Sequence, residues 1–531
     1  MSGSFYITTA IDYANGAPHL GHAYEKVLAD VIARHARMSR RKVHFLTGLD
    51  EHGQKVQQTA QKRGISPQEL VDEVAVGFRA MLRDLSISND DYIRTTEPRH
   101  RKVVQDFLSR LHAEGLIFKD RKGGWYSVRQ EQFLSDKDRD ENGEWPEIFG
   151  EVTQTTEENY YFRISKFQSW LVEHIRSHPD FITPRFRQNQ VLEFLKEPMN
   201  DLCISRPKSR LTWGIELPFD TDYVTYVWFD ALTNYYSAVV GTGLWPADLH
   251  VIGKDILSPP HAVYWPCMLK ALGLEPPRSL LVHGWWTIDR KKASKSEGNA
   301  KDSLSVVGIY GADAFRYYLC REMVVGQDAD FVLEPPTHSE NGKALSDKER
   351  KRYKTFARVY QTDLGNSLGN LVNRLLNMVG RSCGGVVPAA GADEDPERSV
   401  RLLWGDTRKA YDVAFAEHQV SRALESLWTF INALNAYIET RAPWKLAKSA
   451  DPADRARLDS CLAHVSEGLR LVGTALLPVM PTTARTLLEN IGQSVPADFD
   501  RFDWSAAGSG VRVAEKCILF PQVEAPPAPA A

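Results

Sequence analysis

The segment 5–47, FYITTAIDYANGAPHLGHAYEKVLADVIARHARMSRRKVHFLT, indicates a β-α-β unit near the start of the chain. Residues 5–9 form a short β-rich run, and a turn-rich loop follows at 12–18. From Leu20 onward the apolar residues recur at close to helical spacing, and 43–47 is a second apolar strand. A strand, a helix and a strand in this order predict a doubly wound parallel sheet.

Later apolar runs indicate that this sheet is split along the chain. We predict further strands at 225–229, 250–252 and 280–283. Before them lies a segment from about 114 to 187, which contains a Gly-Gly pair and a run of charged residues. We interpret this segment as an insertion between the two halves of the sheet.

The sequence changes character after the last predicted strand. A polar, strongly charged connector occupies 339–354, and apolar residues at spacings of three and four follow at 420–434 and 458–469. This periodicity predicts a bundle of helices. The predicted fold class is therefore α/β, with a split doubly wound parallel sheet of the Rossmann type, an inserted connective domain and a C-terminal α-helical bundle.

The composition is that of a globular protein with several domains. Of the 531 residues, 43% are hydrophobic and 25% charged, and 65 Lys and Arg nearly balance 68 Asp and Glu. Any nucleic-acid partner would therefore meet a local basic patch. We see neither an apolar run of the roughly 18 residues that span a membrane nor a signal peptide. The six cysteines form no C-x-x-C pair, so we expect free thiols in a cytoplasmic protein.

Two short motifs carry the chemistry. His19-Leu20-Gly21-His22 lies where the first loop meets the first helix, and the unpaired N–H groups of a helix N-terminus attract phosphate. Gly21 lacks a Cβ and would let a base or ribose approach the backbone. The segment 291–299, KKASKSEGN, is a cationic loop suited to a polyphosphate. Taken alone, each motif also fits a surface role.

Together the two motifs resemble H-I-G-H and K-M-S-K-S, the signatures of class I aminoacyl-tRNA synthetases. Within that class, the sequence is similar to the methionyl-tRNA synthetases over most of its length. The ordered motifs that carry this resemblance are 10–16 (AIDYANG for A-L-P-Y-A-N-G), 47–53 (TGLDEHG for T-G-T-D-E-H-G), 226–231 (YVWFDA for Y-V-W-x-D-A), 253–256 (GKDI, with His261 after it) and 282–287 (VHGWWT).

The resemblance implies the activity of a methionine–tRNA ligase. ATP and methionine would give methionyl-adenylate and pyrophosphate, and the methionyl group would then pass to the 3′ end of methionine tRNA. Positioning and neutralisation of phosphate charge would supply the catalysis. The resemblance assigns catalysis to His19, His22, Lys292 and Lys295. It assigns the binding of ATP, with Mg²⁺, to the same four residues and to Gly21, Lys254, Asp255 and Ser294.

The resemblance also implies the sites for methionine and for the anticodon. Asp50 ends a predicted parallel strand, where such sheets bind ligands, and would accept the ammonium group. Aromatic rings suit the thioether, although Ile11, Leu232 and Ile256 fit a plain core role equally well. The implied methionine residues are Ile11, Tyr13, Asp50, Trp228, Leu232, Tyr235, Ile256 and His261. The implied anticodon residues are Asn377, Arg381 and Trp444, whose indole would stack on an unpaired base.

With these roles the chain divides into six predicted regions. We expect a monomer that binds tRNA, methionine and ATP and no membrane, because no additional tRNA-binding barrel follows the helices. The regions are 1–113 (first half of the catalytic domain), 114–187 (inserted connective domain), 188–290 (second half), 291–355 (lysine loop and connector), 356–523 (helical anticodon-binding domain) and 524–531 (disordered tail).

The sequence departs from the family pattern at three places. Ala293 replaces the methionine of K-M-S-K-S and removes an apolar anchor from that loop. Asp12 stands where the family usually has proline. The segment 114–187 has no cysteine, whereas many family members carry zinc knuckles there, so we predict no structural zinc.

Three other functions compete with this interpretation. Class I enzymes for leucine, valine, isoleucine or cysteine share both nucleotide motifs, but they carry a larger editing insertion or zinc ligands. A non-catalytic RNA-binding paralogue would keep the fold, with Ala293 and Asp12 as its only support. A small-molecule nucleotidyltransferase would leave the helical domain without a role.

Overall fold

The computed structural model describes residues 4–127, 132–134, 139–140, 142–288, 291–292, 304–333, 335, 338, 344–350, 352–505 and 508–523. The described strands are β1 (Ser4–Thr9), β2 (Asp12–Tyr13), β3 (Lys42–Asp50), β4 (Asp91–Arg94), β5 (Ile117–Ser127), β6 (Gln132–Leu134), β7 (Val152–Phe162), β8 (Ile182–Thr183), β9 (Leu202–Cys203), β10 (Ser205–Pro207), β11 (Glu216–Leu217), β12 (Asp220–Thr225), β13 (Leu249–Gly253), β14 (Leu280–His283), β15 (Trp286–Ile288), β16 (Lys291–Lys292) and β17 (Ala329–Phe331). The described α-helices are α1 (Leu20–Met38), α2 (Gln54–Arg63), α3 (Pro67–Asp84), α4 (Pro98–Ala113), α5 (Gln168–Ser177), α6 (Arg185–Phe194), α7 (Val227–Leu232), α8 (Asn234–Ser237), α9 (Trp265–Ala271), α10 (Val306–Tyr310), α11 (Ala312–Glu322), α12 (Asp347–Arg350), α13 (Phe356–Val359), α14 (Asn370–Cys383), α15 (Asp395–Ala416), α16 (Val420–Arg441), α17 (Pro443–Leu446), α18 (Pro452–Leu476) and α19 (Pro481–Asn490).

Seven of the described strands form one parallel sheet. Its order is β2-β3-β1-β13-β14-β8, with β4 beside β3, so the strands come from both halves of the chain. The two central strands β1 and β13 are buried along nearly their whole length, as parallel strands covered on both faces are. The predicted split, doubly wound parallel sheet is confirmed.

Two smaller antiparallel sheets lie outside the parallel one. β6, β5, β7 and β9 form the first, and β10, β12 and β11 form the second. β8, at Ile182–Thr183, pairs with β14 in the parallel sheet although it falls inside the segment 114–187. The chain thus contributes β8 to the parallel sheet, leaves it for β9 to β12, and returns to it with β13 and β14.

The predicted strand at 225–229 is wrong. β12 ends at Thr225, and α7 begins two residues later at Val227. A short apolar run fits a buried strand and a buried helix equally well, because periodicity cannot separate them. Phe229 and Leu232 of α7 are both buried, which explains why this helix has no polar face to reveal it in the sequence.

One continuous apolar core joins the parallel sheet to the helical region. It extends from Ile7 on β1 through Phe315 on α11 to Leu371 on α14 and Leu469 on α18. A second core lies on the side of the inserted sheets and contains Phe162 and Trp265 among others. None of the described helices combines the length and apolarity that a membrane crossing requires.

A buried arginine links the parallel-sheet region to the helical region at the first of these cores. Arg316 on α11 has no exposed surface, and its guanidinium lies 2.6 Å from a carboxylate oxygen of Asp30 on α1. It also donates hydrogen bonds to the carbonyl oxygens of Leu85, Pro478 and Val479 at 2.8–3.0 Å. One side chain therefore connects three separate parts of the chain.

Substitution of this arginine is expected to destabilise the protein. Arg316→Met leaves three buried carbonyls without their donor and Asp30 with Arg34 as its remaining cation, so we expect the free energy of unfolding to fall by about 3 kcal/mol. Denaturant unfolding would measure this change. The matched control is Arg398→Met, since Arg398 forms an exposed pair with Asp395 and its loss should cost less than about 1 kcal/mol. Equal losses for the two variants would contradict the role of Arg316.

Candidate active site

A cavity of about 470 Å³ opens at the carboxyl edge of the parallel sheet. Its walls come from the chain at and just after the ends of β1, β3, β13 and β14, from the first turns of α1, and from α7 and α8. This is the edge at which open parallel sheets bind ligands. Every residue implied to bind methionine lines it: Ile11, Tyr13, Asp50, Trp228, Leu232, Tyr235, Ile256 and His261.

The two histidines of the first motif form a stacked pair at the start of α1. The ring centroids of His19 and His22 are 3.7 Å apart. His19 is the N-cap, and its Nδ1 accepts a hydrogen bond from the Gly21 N–H at 3.2 Å. The Nδ1 of His22 accepts from the His19 N–H, also at 3.2 Å. Because each Nδ1 is an acceptor, each neutral ring carries its proton on Nε2, which is then the donor for a ligand.

The apolar end of the cavity has its own hydrogen-bond network. His261 directs Nδ1 to the carbonyl oxygen of Ile256 at 2.8 Å, and the Tyr235 hydroxyl lies 2.7 Å from Nε2. The carbonyl can only accept, so Nδ1 carries the proton and Tyr235 donates to Nε2. Burial lowers the pKa of His261 to about 4 and keeps the ring neutral. The polar atoms of these two side chains therefore satisfy one another beside an apolar wall.

One of the acidic groups that line the cavity, Asp50, lies at the end of β3. Asp50 is buried there. Two residues later, His52 belongs to a second hydrogen-bond network. Asp230 on α7 lies 2.7 Å from both His52 Nδ1 and His100 Nε2. Burial raises the pKa of Asp230, but the two histidines outweigh it and lower the pKa to about 2. This network fixes α7, which carries Trp228 and Leu232, against the end of β3.

The sequence analysis missed this network and several residues that line the cavity. Two of its three members, His52 and Asp230, lie inside motifs that we identified, TGLDEHG and YVWFDA, but their pairing joins residues far apart in the chain. Glu25 and His283 also line the cavity and are 3.1 Å apart. Further lining residues that we did not predict are Asn15, Tyr24, Lys55, Trp285 and Trp286.

The residues implied to bind ATP fall into three groups. Gly21 and Asp255 line the cavity with the two histidines. Lys254 does not line it: its ammonium is 2.6 Å from Asp328 and lies over the Trp285 ring. The backbone of Lys292 pairs with Thr287 in β16 and β15. Ser294 and Lys295, like Ala293, lie outside the described residues.

Two of the three residues implied to bind the anticodon meet in the helical region. Asn377 on α14 and Trp444 on α17 line a cavity of about 250 Å³. The Trp444 side chain is 39% exposed, so part of its indole is open for stacking. Arg381, one turn beyond Asn377, is not among the residues that line this cavity.

We found no metal site in the part of the chain that the structure describes. Within those residues, no group of three or more His, Cys, Asp or Glu side chains could hold a metal ion. All six cysteines are free thiols.

Comparisons with known proteins identify the family of this chain. The family model described as tRNA synthetases class I (M) matches residues 5–151 and 145–376. The chain belongs to this family, the class I methionyl-tRNA synthetases. The methionine–tRNA ligase of Deinococcus radiodurans is 41% identical over 98% of this chain and 74% of its own length. That of Rhizobium meliloti is 38% identical over 99% of both chains.

A solved structure of the same family has the same fold. Mycobacterium tuberculosis methionyl-tRNA synthetase in complex with methionyl-adenylate superimposes with a TM-score of 0.88 at 35% identity, over 98% of this chain and all of that one. Family membership therefore favours the methionine enzyme over the other class I synthetases and over a small-molecule nucleotidyltransferase.

Proposed function

We propose that this cavity activates methionine with ATP and that the chain then transfers the methionyl group to tRNA. The observation that carries the proposal is a single cavity with two different ends. One end offers the Nε2–H donors of His19 and His22 at a helix N-terminus, and the other offers an apolar pocket beside the buried carboxylate of Asp50. A polyphosphate fits the first end, and an amino acid with an apolar side chain fits the second.

In the first step a carboxylate oxygen of methionine attacks the α-phosphorus of ATP, and pyrophosphate leaves. Negative charge grows on the transferring phosphoryl group, and the two Nε2–H donors would stabilise it. Magnesium enters as part of the substrate, bound to the phosphates of ATP. Lys292, in β16, and Lys295 would add positive charge.

In the second step a ribose hydroxyl at the 3′ end of tRNA attacks the carbonyl carbon of the adenylate. The new ester forms as the bond to AMP breaks. The helical region 356–523 would hold the anticodon, with Asn377, Arg381 and Trp444 as its contacts. We propose the other predicted regions with the boundaries given above, and a zinc-free, monomeric, cytoplasmic enzyme.

The pocket's shape and its internal hydrogen bonds explain why methionine would be selected. Trp228 meets the His261 ring edge to face at 6.1 Å, and Leu232 and Ile256 complete the apolar wall. Since Tyr235 already donates to His261, a polar substrate side chain would have to compete with a satisfied pair. A thioether needs no such partner and is attracted to aromatic rings.

The direct test is amino-acid-dependent ATP–pyrophosphate exchange with the whole chain, without tRNA, across all twenty amino acids. Exchange with methionine alone is the expected result. Exchange with another amino acid would keep the class of enzyme and overturn the pocket. Binding of tRNA without any exchange would favour the RNA-binding paralogue.

A substitution at Tyr235 tests the internal network of the pocket. Tyr235→Phe leaves Nε2 of the buried His261 without its donor, so we expect the KM for methionine to rise about tenfold, equivalent to about 1.4 kcal/mol. Steady-state exchange kinetics would measure it. Tyr236→Phe is the control, because the neighbouring Tyr236 packs on Trp245 outside the cavity and its KM should stay that of the wild type.

A further inference from the structure

A buried lysine lies directly behind the active-site cavity. Lys26 on α1 has no exposed surface, and its ammonium donates three hydrogen bonds. The acceptors are the carbonyl oxygen of Ala10 at 3.0 Å, a carboxylate oxygen of Asp12 at 2.7 Å and one of Glu25 at 3.0 Å. These contacts use all three protons of the ammonium. Burial lowers the pKa of Lys26, but the two carboxylates outweigh it and hold the pKa above its usual value.

The hydrogen bonds of Lys26 connect the methionine end of the cavity to its nucleotide end. Ala10 and Asp12 lie in the segment 10–13, which follows β1. Ile11 and Tyr13, which alternate with them in this segment, line the methionine end of the cavity. Lys26 lies one turn after His22 on the helix that begins the nucleotide end. The Nε2 atom of His22 is 3.9 Å from the same Asp12 oxygen that Lys26 contacts. A single ammonium therefore joins the methionine wall to the phosphate-facing helix.

Asp12 is also a departure from the pattern that the sequence resembles. The related motif A-L-P-Y-A-N-G has proline at this position, and the proline ring fixes the backbone angle φ. Aspartate has no such restraint, so another contact must hold the segment. An uncompensated carboxylate here would also repel the phosphates of ATP, since Asp12 lines the cavity beside the two histidines.

We propose that Asp12 and Lys26 act as a positioning pair. Lys26 holds the segment 10–13 in place through Ala10 and Asp12, and it cancels the charge of Asp12 where the phosphates bind. Glu25 shares the ammonium and is joined on its other side to His283. The pair thus replaces the restraint of a proline with an ion pair, and this inference rests on the proposed function.

The test is a double-mutant cycle in methionine-dependent ATP–pyrophosphate exchange with the whole chain. Asp12→Asn leaves the buried ammonium with one carboxylate, and Lys26→Met leaves two carboxylates facing each other. We expect each single variant to raise the KM for methionine or ATP at least tenfold. The double variant Asp12→Asn/Lys26→Met removes both charges but also the restraint, so its KM should be no higher than that of the worse single variant, well below the product of the two single effects.

The exposed pair Arg63 and Glu73 gives a matched control. Arg63→Met and Glu73→Gln remove an ion pair of similar length, 2.8 Å, at the surface, and they should leave both KM values unchanged. Losses at Asp12 and Lys26 that simply add in the double variant would overturn the proposal. Wild-type exchange that fails altogether would overturn the proposed function instead, so the two failures are distinguishable.

The pH profile gives a second readout that a purely structural role would not change. Burial raises the pKa of Asp12 to about 6, against the attraction of Lys26. Below that pH Asp12 takes up a proton and Lys26 loses a charged partner, so kcat/KM for methionine should fall. Besides Lys26, the groups that interact electrostatically with Asp12 include Glu25, His22, Tyr92 and Tyr235, and the wild type and Asp12→Asn both contain them. Asp12→Asn should therefore lack this part of the fall, and an unchanged profile would contradict the pair.

Discussion

His22→Ala is expected to lower kcat for methionine-dependent ATP–pyrophosphate exchange by about 10²–10³-fold, the usual cost of removing one preorganised donor to a developing charge. The His22 ring lines the cavity, and its Nδ1 accepts a hydrogen bond from the His19 N–H, so the ring proton is on Nε2, which we propose donates to the phosphoryl group. Charge on that group is larger in the transition state than in bound ATP. We therefore expect the KM for ATP to change much less than kcat.

Two further variants separate this effect from damage to the helix. His22→Gln keeps a side-chain oxygen that can accept the His19 N–H but does not place a ring N–H at the same point, so its kcat should also fall strongly. His178→Ala removes an exposed histidine outside the cavity and should leave kcat unchanged. A loss of exchange in His22→Ala that appears entirely in the KM for ATP would show that His22 binds the ground state only.

The β-α-β unit could be predicted from the sequence because its information is local. Residues 4–50 alternate between buried strands and an amphipathic helix, and His19 caps that helix from a position next to it in the chain. Spacing and chemistry therefore indicated the fold and the end of the cavity that we propose binds phosphate. The residues implied to bind methionine came from the resemblance to a family, and all of them line the cavity.

The remaining features depend on contacts that no local pattern contains. Val227 begins a helix rather than continuing a strand, because that run is buried by distant parts of the chain. The bond from Asp230 to His100 joins residues that are 130 positions apart, and Arg316 reaches Val479 across 163. The sequence analysis assigned no role to Lys26, because a single lysine within a helical segment does not reveal its partners. Only tertiary structure brings it to Asp12, whose role could not be interpreted from the sequence.

Asp50→Asn is expected to raise the KM for methionine about 10²–10³-fold, because a buried carboxylate that pairs with a ligand cation contributes several kcal/mol to binding. Asp50 ends β3 at the cavity wall, is 7% exposed and lies beside the pocket formed by Trp228 and Tyr13. An ammonium group that enters this pocket loses its water and needs a charged acceptor. The amide of asparagine fills the same volume without the charge, so the KM for ATP should stay close to that of the wild type.

A substrate analogue identifies the group that Asp50 contacts. The wild-type enzyme should strongly prefer methionine to 4-(methylthio)butanoate, which has the same thioether and carboxylate but no amino group. If Asp50 binds the ammonium, Asp50→Asn should reduce that preference to roughly the same extent as it raises the KM, since the variant no longer distinguishes the two ligands by charge. Asp84→Asn, at an exposed carboxylate on α3, should keep the full preference. A preference that survives in Asp50→Asn would assign the ammonium to another acceptor in the cavity.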